Sequence, residues 1–151
     1  MQPSISSVGK TIRMNRIFAE DGRAVMVAIN HGMHMGASKG LTDMKTLLTD
    51  LTAEHPDSYT IHKGIAMRYG DIFAGKSALV VKSTNATRFF RPAETPLTSV
   101  EEVVALGADA IAIGLSLADD DERAAMRHVG EVVAAAEKYG MPTVTHSYPC
   151  G

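Results

Sequence analysis

Residues 107–148, GADAIAIGLSLADDDERAAMRHVGEVVAAAEKYGMPTVTHSY, predict a strand, a long helix and a second strand in succession. The apolar runs Asp109–Leu115 and Thr143–Tyr148 mostly lack polar alternation, which is typical of strands buried on both faces of a parallel sheet. Between them, Asp119 and Glu122 stand at the spacing of a helix-opening pair, and Gly140 marks the helix end. The apolar positions between these signals recur at helical spacing: Ala125, Val129, Val132, Val133 and Ala136.

The same strand and helix pattern extends toward the N-terminus. Three further apolar runs predict strands: Ala24–Asn30, Ser58–His62 and Ser77–Lys82. Helices are predicted between the runs. The first is capped by Thr42 and has apolar positions at helical spacing, namely Met44, Leu47, Leu48 and Leu51. A weaker helix is predicted over Ile65–Gly75, and a short one begins at the capping box formed by Ser99 and Glu102. Asn85–Pro96 is the one long irregular connection in this scheme.

Five strands that alternate with helices predict an α/β architecture with right-handed crossovers. Two folds fit: the first five units of a (β/α)₈ TIM barrel, or a five-stranded doubly wound sheet. No helix follows the last strand in the sequence, which favours the barrel, because a doubly wound sheet would leave that strand bare. We therefore expect residues 1–151 to form the N-terminal portion of a single barrel, with residues 1–22 as a capping segment.

Composition argues against several classes of function. The formal net charge of −2 gives no basic excess for nucleic acid, and no apolar run approaches the roughly 18 residues of a membrane helix. The single cysteine, Cys150, is compatible with a reducing cytoplasm. Gly9-Lys10-Thr11 resembles the end of a phosphate-binding loop, but the glycine that this loop requires is replaced by Ser4.

The candidate site lies where the strands end, because the loops after the strands build the active sites of barrels. Asn30 and Tyr148 are the catalytic candidates at the ends of the first and fifth strands. The substrate-binding candidates are His31, Gly32, Met33, His34, Lys63, Lys82, Pro149 and Cys150. A phenol at the position of Tyr148 can act as a general acid or base once its pKa is tuned.

Simpler interpretations of these residues remain open. Asn30-His31-Gly32 also fits a polar turn, and Lys63 and Lys82 fit contacts with a substrate phosphate or chains that extend into solvent. His31 and His34 do not predict a metal site, because no other histidine stands at ligand spacing from them and zinc needs three or four ligands. We expect no cofactor.

Several motifs together resemble one enzyme family. They are Gly9–Arg13, Arg16–Phe18, Gly22–Gly32, His62–Ile65, Gly107–Ala110, Gly140–Pro142 and Ser147–Pro149. They are similar to the archaeal-type class I fructose-bisphosphate aldolases and the related 2-amino-3,7-dideoxy-D-threo-hept-6-ulosonate synthases. The resemblance implies a TIM barrel that acts on phosphorylated ketoses or keto sugars. Separately, five strands leave two open edges and uncovered apolar surface, so we expect a homo-oligomer.

The resemblance also implies a mechanism. A lysine on the sixth strand forms an imine with the substrate, an aspartate on the first strand assists proton transfer, and a tyrosine on the fifth strand acts as acid and base. Tyr148 matches the tyrosine, whereas Asn30 stands at the aspartate position, and an amide cannot serve as a carboxylate base. The sixth strand would follow residue 151, so the resemblance predicts no imine on residues 1–151 alone. The alternative is a non-enzymatic half-barrel that associates with itself or with a partner.

Overall fold

The computed structural model describes residues 4–36, 38–87, 90–118 and 120–149. Seven strands and six helices are described there. In chain order they are α1 (Ile5–Ile17), β1 (Met26–Ala28), α2 (Gly32–Met35), α3 (Met44–Ala53), β2 (Ser58–Ile61), α4 (Lys63–Phe73), β3 (Ala78–Lys82), β4 (Thr84–Thr87), β5 (Phe90–Pro96), α5 (Val100–Ala105), β6 (Ala110–Leu117), α6 (Glu122–Lys138) and β7 (Thr143–Pro149).

Five of the strands form one parallel sheet in the order β1-β2-β3-β6-β7. This order follows the chain without a reversal, so the sheet curls as half of a barrel. The prediction of a partial (β/α)₈ barrel is confirmed. The doubly wound alternative is wrong, because such a sheet requires a point at which the strand order reverses.

The two faces of the sheet carry different residues, as the two-residue side-chain period of a strand requires. The outer face packs against the helices: Tyr59 and Ile61 contact α3 and α4, while Ile111 and Ile113 contact α5 and α6. The inner face carries smaller apolar residues in its lower part, namely Ala78, Val80, Ala110 and Ala112, with Val144 packed against them. This parity identifies Lys82, Gly114, His146 and Tyr148 as inner-face positions.

Helix α1 closes the end of the sheet at which the strands begin. Its Ile17 is buried among the inner-face residues of β3 and β6. Arg16 forms an ion pair with the buried Asp109 at 3.2 Å, and Asp109 in turn accepts a hydrogen bond from the backbone N–H of Leu79. Gly140 permits the close approach of α1, because a side chain there would overlap the carbonyl oxygen of Ser6.

Several predicted boundaries need correction. Asn85–Pro96 is not irregular, since β4 and β5 form an antiparallel pair there. The N-cap of α3 is Asp43 instead of Thr42, and its carboxylate accepts a hydrogen bond from the N–H of Thr46. The N-cap of α6 is Asp121; Asp119 lies outside the described residues. The capping box formed by Ser99 and Glu102 is confirmed.

Candidate active site

The inner face of the half-barrel holds a buried ion pair near the carboxyl ends of its strands. Lys82, the last residue of β3, places its Nζ 3.4 Å from Oε2 of Glu94 on β5, and the two side chains are 1% and 7% exposed. The pKa of Lys82 is lowered, because burial penalises the ammonium form more than Glu94 stabilises it. Of the two interpretations left open for Lys82, extension into solvent is therefore wrong, because the β4–β5 hairpin brings a carboxylate over the amine.

Two neighbours hold the carboxylate of Glu94 in place. The hydroxyl of Thr84 donates a hydrogen bond to it, and the N–H of Gly114 donates to that hydroxyl at 2.8 Å. Any side chain at position 114 would overlap the carboxylate. The glycine in the middle of β6 thus makes room for a charged group that arrives from another part of the chain.

Sequence reasoning missed Glu94 because it lies in the segment that had been assigned to an irregular connection. One signal was available, since a glycine within an apolar strand often marks a close approach by another group. Gly114 is such a glycine. A glycine at this position indicates that another group approaches the strand, but it does not identify the residue that carries this group.

His62 connects the ends of three neighbouring strands. Its Nδ1 lies 3.1 Å from the carbonyl oxygen of Lys82, and its Nε2 lies 3.1 Å from that of Asn30. Burial lowers the pKa of His62, which favours the neutral ring, although the two carbonyl contacts act in the opposite direction. A neutral ring donates only one hydrogen bond, so it can serve one of the two carbonyl oxygens at a time.

Tyr148 lies near the buried pair on the last strand. The Nζ of Lys82 is 5.8 Å from the centre of its ring, and the side chain is 44% exposed. Burial, reinforced by the charge of Glu94, raises the pKa of Tyr148, so the phenol is protonated at neutral pH. On the same face, burial and then Lys82 lower the pKa of His146. This end of the barrel therefore combines an amine, a carboxylate and a phenol that can donate a proton.

The remaining predicted residues are distributed around the rim of the barrel. A cavity of about 530 Å³ is lined by Asn30, Gly32, Met33 and Lys63, together with His62 and the apolar side chains of Ile29, Leu41, Met44, Ile65 and Leu97. Of the sequence candidates, these four are brought together there, while Lys82 and Tyr148 belong to the inner-face group.

Lys63 is not the end of a strand, as the sequence suggested, but the first residue of α4, because β2 ends at Ile61 and the helix follows directly. Its Nζ forms an ion pair with Glu102, and its side chain is 36% exposed. His31 is exposed at the start of α2, and Nδ1 of His34 lies 3.2 Å from the carbonyl oxygen of Ala86.

Pro149 is exposed at the end of β7, whereas Cys150 lies outside the described residues. Among the residues with a described structure, no three His, Cys, Asp or Glu side chains are placed to hold a metal ion. In the same part of the chain, no helix is long and apolar enough to cross a membrane.

The sequence of this half-barrel matches a known family model over residues 24–151, described as the DeoC/LacD family of aldolases. The chain belongs to this family. The protein is 30% identical over 150 residues to a 2-amino-3,7-dideoxy-D-threo-hept-6-ulosonate synthase of Halobacterium salinarum. It is also 27% identical over 146 residues to a 2-amino-4,5-dihydroxy-6-oxo-7-(phosphonooxy)heptanoate synthase of Streptomyces griseus.

Solved structures of fructose-bisphosphate aldolases show the same fold. A Schiff-base-forming fructose-1,6-bisphosphate aldolase superimposes with a TM-score of 0.83 at 27% identity, over 94% of this chain and 58% of that one. A fructose-bisphosphate aldolase from Slackia heliotrinireducens superimposes with a TM-score of 0.73 at 19% identity, over 97% of this chain and 50% of that one, which supports the fold alone. The comparison with the named synthases covers 97% and 94% of this chain. The chain spans only 56% and 53% of the length of those synthases.

Proposed function

We propose that this DeoC/LacD-family protein catalyses the making or breaking of a carbon–carbon bond in a phosphorylated ketose or keto sugar. Membership of an aldolase family supports the type of reaction. The substrate class is supported by the similar proteins, which are named as a fructose-bisphosphate aldolase and as two synthases of keto-sugar products. The observation that carries the proposal is the position of Tyr148, a protonated phenol on the inner face at the end of β7 and beside the amine of Lys82.

Each group at the rim has a role in this proposal. Tyr148 transfers a proton to and from the reacting oxygen. This role requires a positioned acid, and Tyr148 keeps its proton at neutral pH. Asn30 holds a substrate hydroxyl by hydrogen bonds, because its amide both donates and accepts. The cavity beside Asn30 receives the rest of the sugar, and a phosphate at its edge competes with Glu102 for the ammonium of Lys63. A cytoplasmic location and a reaction without a cofactor are parts of the same proposal.

The test is an aldol cleavage assay on the purified protein. With fructose 1,6-bisphosphate, we expect release of an aldehyde product, and we expect Tyr148→Phe to lower the rate by about 10²–10⁴, the usual contribution of an acid–base group. Tyr139→Phe is a matched control, because Tyr139 is exposed to a similar degree, 41%, but follows α6, at the opposite end of the sheet. Equal rates for both variants would remove Tyr148 from the mechanism.

Association of the half-barrel is a second candidate, supported by the strands at its borders. Within the described part of the chain, β1 pairs only with β2 and β7 pairs only with β6, and Val25 beside β1 is 65% exposed. Unpaired strand edges with apolar neighbours favour further pairing. We expect a homo-oligomer in sedimentation experiments. A monodisperse monomer that unfolds cooperatively would count against this candidate.

A further inference from the structure

Helix α2 carries an unusual set of side chains at the rim of the half-barrel. The segment from His31 to Met35 contains two histidines and two methionines among five residues. Met33 is 51% exposed and Met35 is 59% exposed, so neither methionine is explained by burial in the core. The sulfur of methionine and the ring nitrogens of histidine are ligands for soft metal ions, which suggests a different use for this segment.

The backbone of α2 places three of these side chains on one side of a helical turn. The N-cap His31 has helical dihedral angles, φ −77° and ψ −9°, and its carbonyl oxygen accepts a hydrogen bond from the N–H of Met35 at 2.8 Å. The N–H of His34 donates to the same oxygen at 3.1 Å. Side chains three and four positions apart on such a turn are neighbours, with Cβ atoms about 5–6 Å apart. His31, His34 and Met35 therefore share one face of the turn.

His34 is oriented in the way that is typical of a metal ligand. Its Nδ1 lies 3.2 Å from the carbonyl oxygen of Ala86 on β4, and because a carbonyl only accepts, Nδ1 is the donor. In the neutral ring this leaves the lone pair of Nε2 available to a ligand. Metal-binding histidines usually donate their second ring N–H to a carbonyl or carboxylate in this manner. His62 is different, since both of its ring nitrogens lie 3.1 Å from carbonyl oxygens.

We propose that His31, His34 and Met35 form a binding site for the soft monovalent cation Cu(I) at the rim of the half-barrel. Thioether ligands select Cu(I), and imidazole binds it as well. Two histidines are too few for zinc, which needs three or four ligands. In the part of the chain that the structure describes, no three His, Cys, Asp or Glu side chains are placed to hold a metal ion. Methionine is outside that set of residue types, and Met35 supplies the third ligand.

This site goes beyond the proposed function, in which no metal takes part. A helix as short as α2 has little stability of its own, because the cost of forming the first turn is offset only by further turns. A cation bound by side chains from both ends of the turn would hold α2 in its helical form. Gly32 and Met33 of the same turn line the rim cavity, so Cu(I) binding stabilises one wall of that cavity.

The experiment is equilibrium dialysis of the protein against Cu(I) in the absence of oxygen, with copper measured by atomic absorption. Every protein tested carries Cys150→Ser, because a thiol is itself a soft ligand for Cu(I). We expect about one Cu(I) ion per chain and no displacement of it by an equal concentration of Zn²⁺, since a thioether favours the softer ion. Absence of bound copper, or its displacement by Zn²⁺, would overturn the proposal.

Two methionine variants test the sulfur ligand. Met35→Leu removes the sulfur and nearly conserves the side-chain volume, so the fold should be retained. It should weaken Cu(I) binding at least about tenfold, since even the groups that only orient a metal ligand contribute about 10–100-fold. Met67→Leu is the matched control and should bind as the parent does, because Met67 is 73% exposed on α4 and away from this turn. Equal affinities of the two variants would contradict the proposal.

A second pair of variants tests the imidazole. His34→Gln should weaken Cu(I) binding, whereas His128→Gln, which changes a partly buried histidine on α6, should not. Circular dichroism checks that each variant folds. X-ray absorption of the copper-loaded parent decides the question even if His34→Gln fails to fold. We expect sulfur and nitrogen neighbours around copper, and a spectrum with nitrogen or oxygen neighbours alone would overturn the proposal.

Discussion

Nζ of Lys82 and Oε2 of Glu94 lie 3.4 Å apart inside the half-barrel, although the two residues belong to different strands of two different sheets. The pair joins the main sheet to the β4–β5 hairpin. Burial of two charges gains little unless both remain, because removal of one leaves the other without compensation in a site of low polarity. The first prediction follows from this relationship.

Glu94→Gln is expected to lower the free energy of unfolding by about 3–5 kcal/mol, the usual cost of a buried charge that has lost its partner. Urea denaturation at pH 7 measures the change. The double variant Lys82→Met, Glu94→Gln serves as the control and should recover part of the loss, since it removes the uncompensated ammonium. Equal stability of Glu94→Gln and the parent protein would show that Lys82 is already neutral in the folded state.

Stability is expected to fall as the pH decreases from about 6.5, the ordinary value for histidine. Burial lowers the pKa values of His62 and His146 in the folded protein, so the unfolded chain binds protons first as the pH falls through this window. The stabilising contribution is therefore complete above the unfolded pKa and is lost below it. Lys82 and Glu94 are the charged groups that face both rings.

Unfolding free energies measured in urea between pH 5 and pH 8 test this dependence. The variant His62→Gln should reduce the slope below pH 6.5, because it removes one of the two groups. The variant His31→Gln, which removes an exposed histidine, is the matched control. A slope that is unchanged by His62→Gln would contradict the prediction.

Gly140→Ala is expected to destabilise the protein more than Gly107→Ala. Both glycines have a positive φ, which costs an alanine about 1–2 kcal/mol. Nothing lies within contact of a side chain at position 107, whereas at position 140 it would overlap the carbonyl oxygen of Ser6 and displace α1, at a further cost of about 1–3 kcal/mol. Thermal denaturation compares the two, and equal losses would show that α1 is not held against Gly140.

Asn30→Asp is expected to raise the rate of aldol cleavage by about 10²–10⁴, because it supplies a carboxylate that can act as a base at the end of the first strand. The aldehyde product is measured from fructose 1,6-bisphosphate. Asn15→Asp, an exposed change on α1, provides the same change of charge far from the rim. If the rate does not rise, Asn30 belongs to a different reaction, and the substrate class proposed above would need revision.

Much of the fold could be predicted because its signals are local. The apolar runs that became β2, β3, β6 and β7, and the helical spacing within α3 and α6, depend on residues a few positions apart. The β4–β5 hairpin was missed because Asn85–Pro96 has two prolines and little alternation, and its pairing has an irregular register. The pairing of such strands depends on contacts with residues elsewhere in the chain, which the local sequence pattern does not identify.

For the candidate site, the sequence by itself determined which residues stand at the carboxyl ends of the strands, among them Asn30 and Tyr148, since parallel strands all end at one edge. Only the tertiary structure decided the environment of each. Lys63 and Lys82 look equivalent in sequence, yet one pairs at the surface and the other is buried with Glu94. Burial and charge pairing depend on groups that are distant in the chain, and these long-range contacts set the pKa of an amine and its capacity to react.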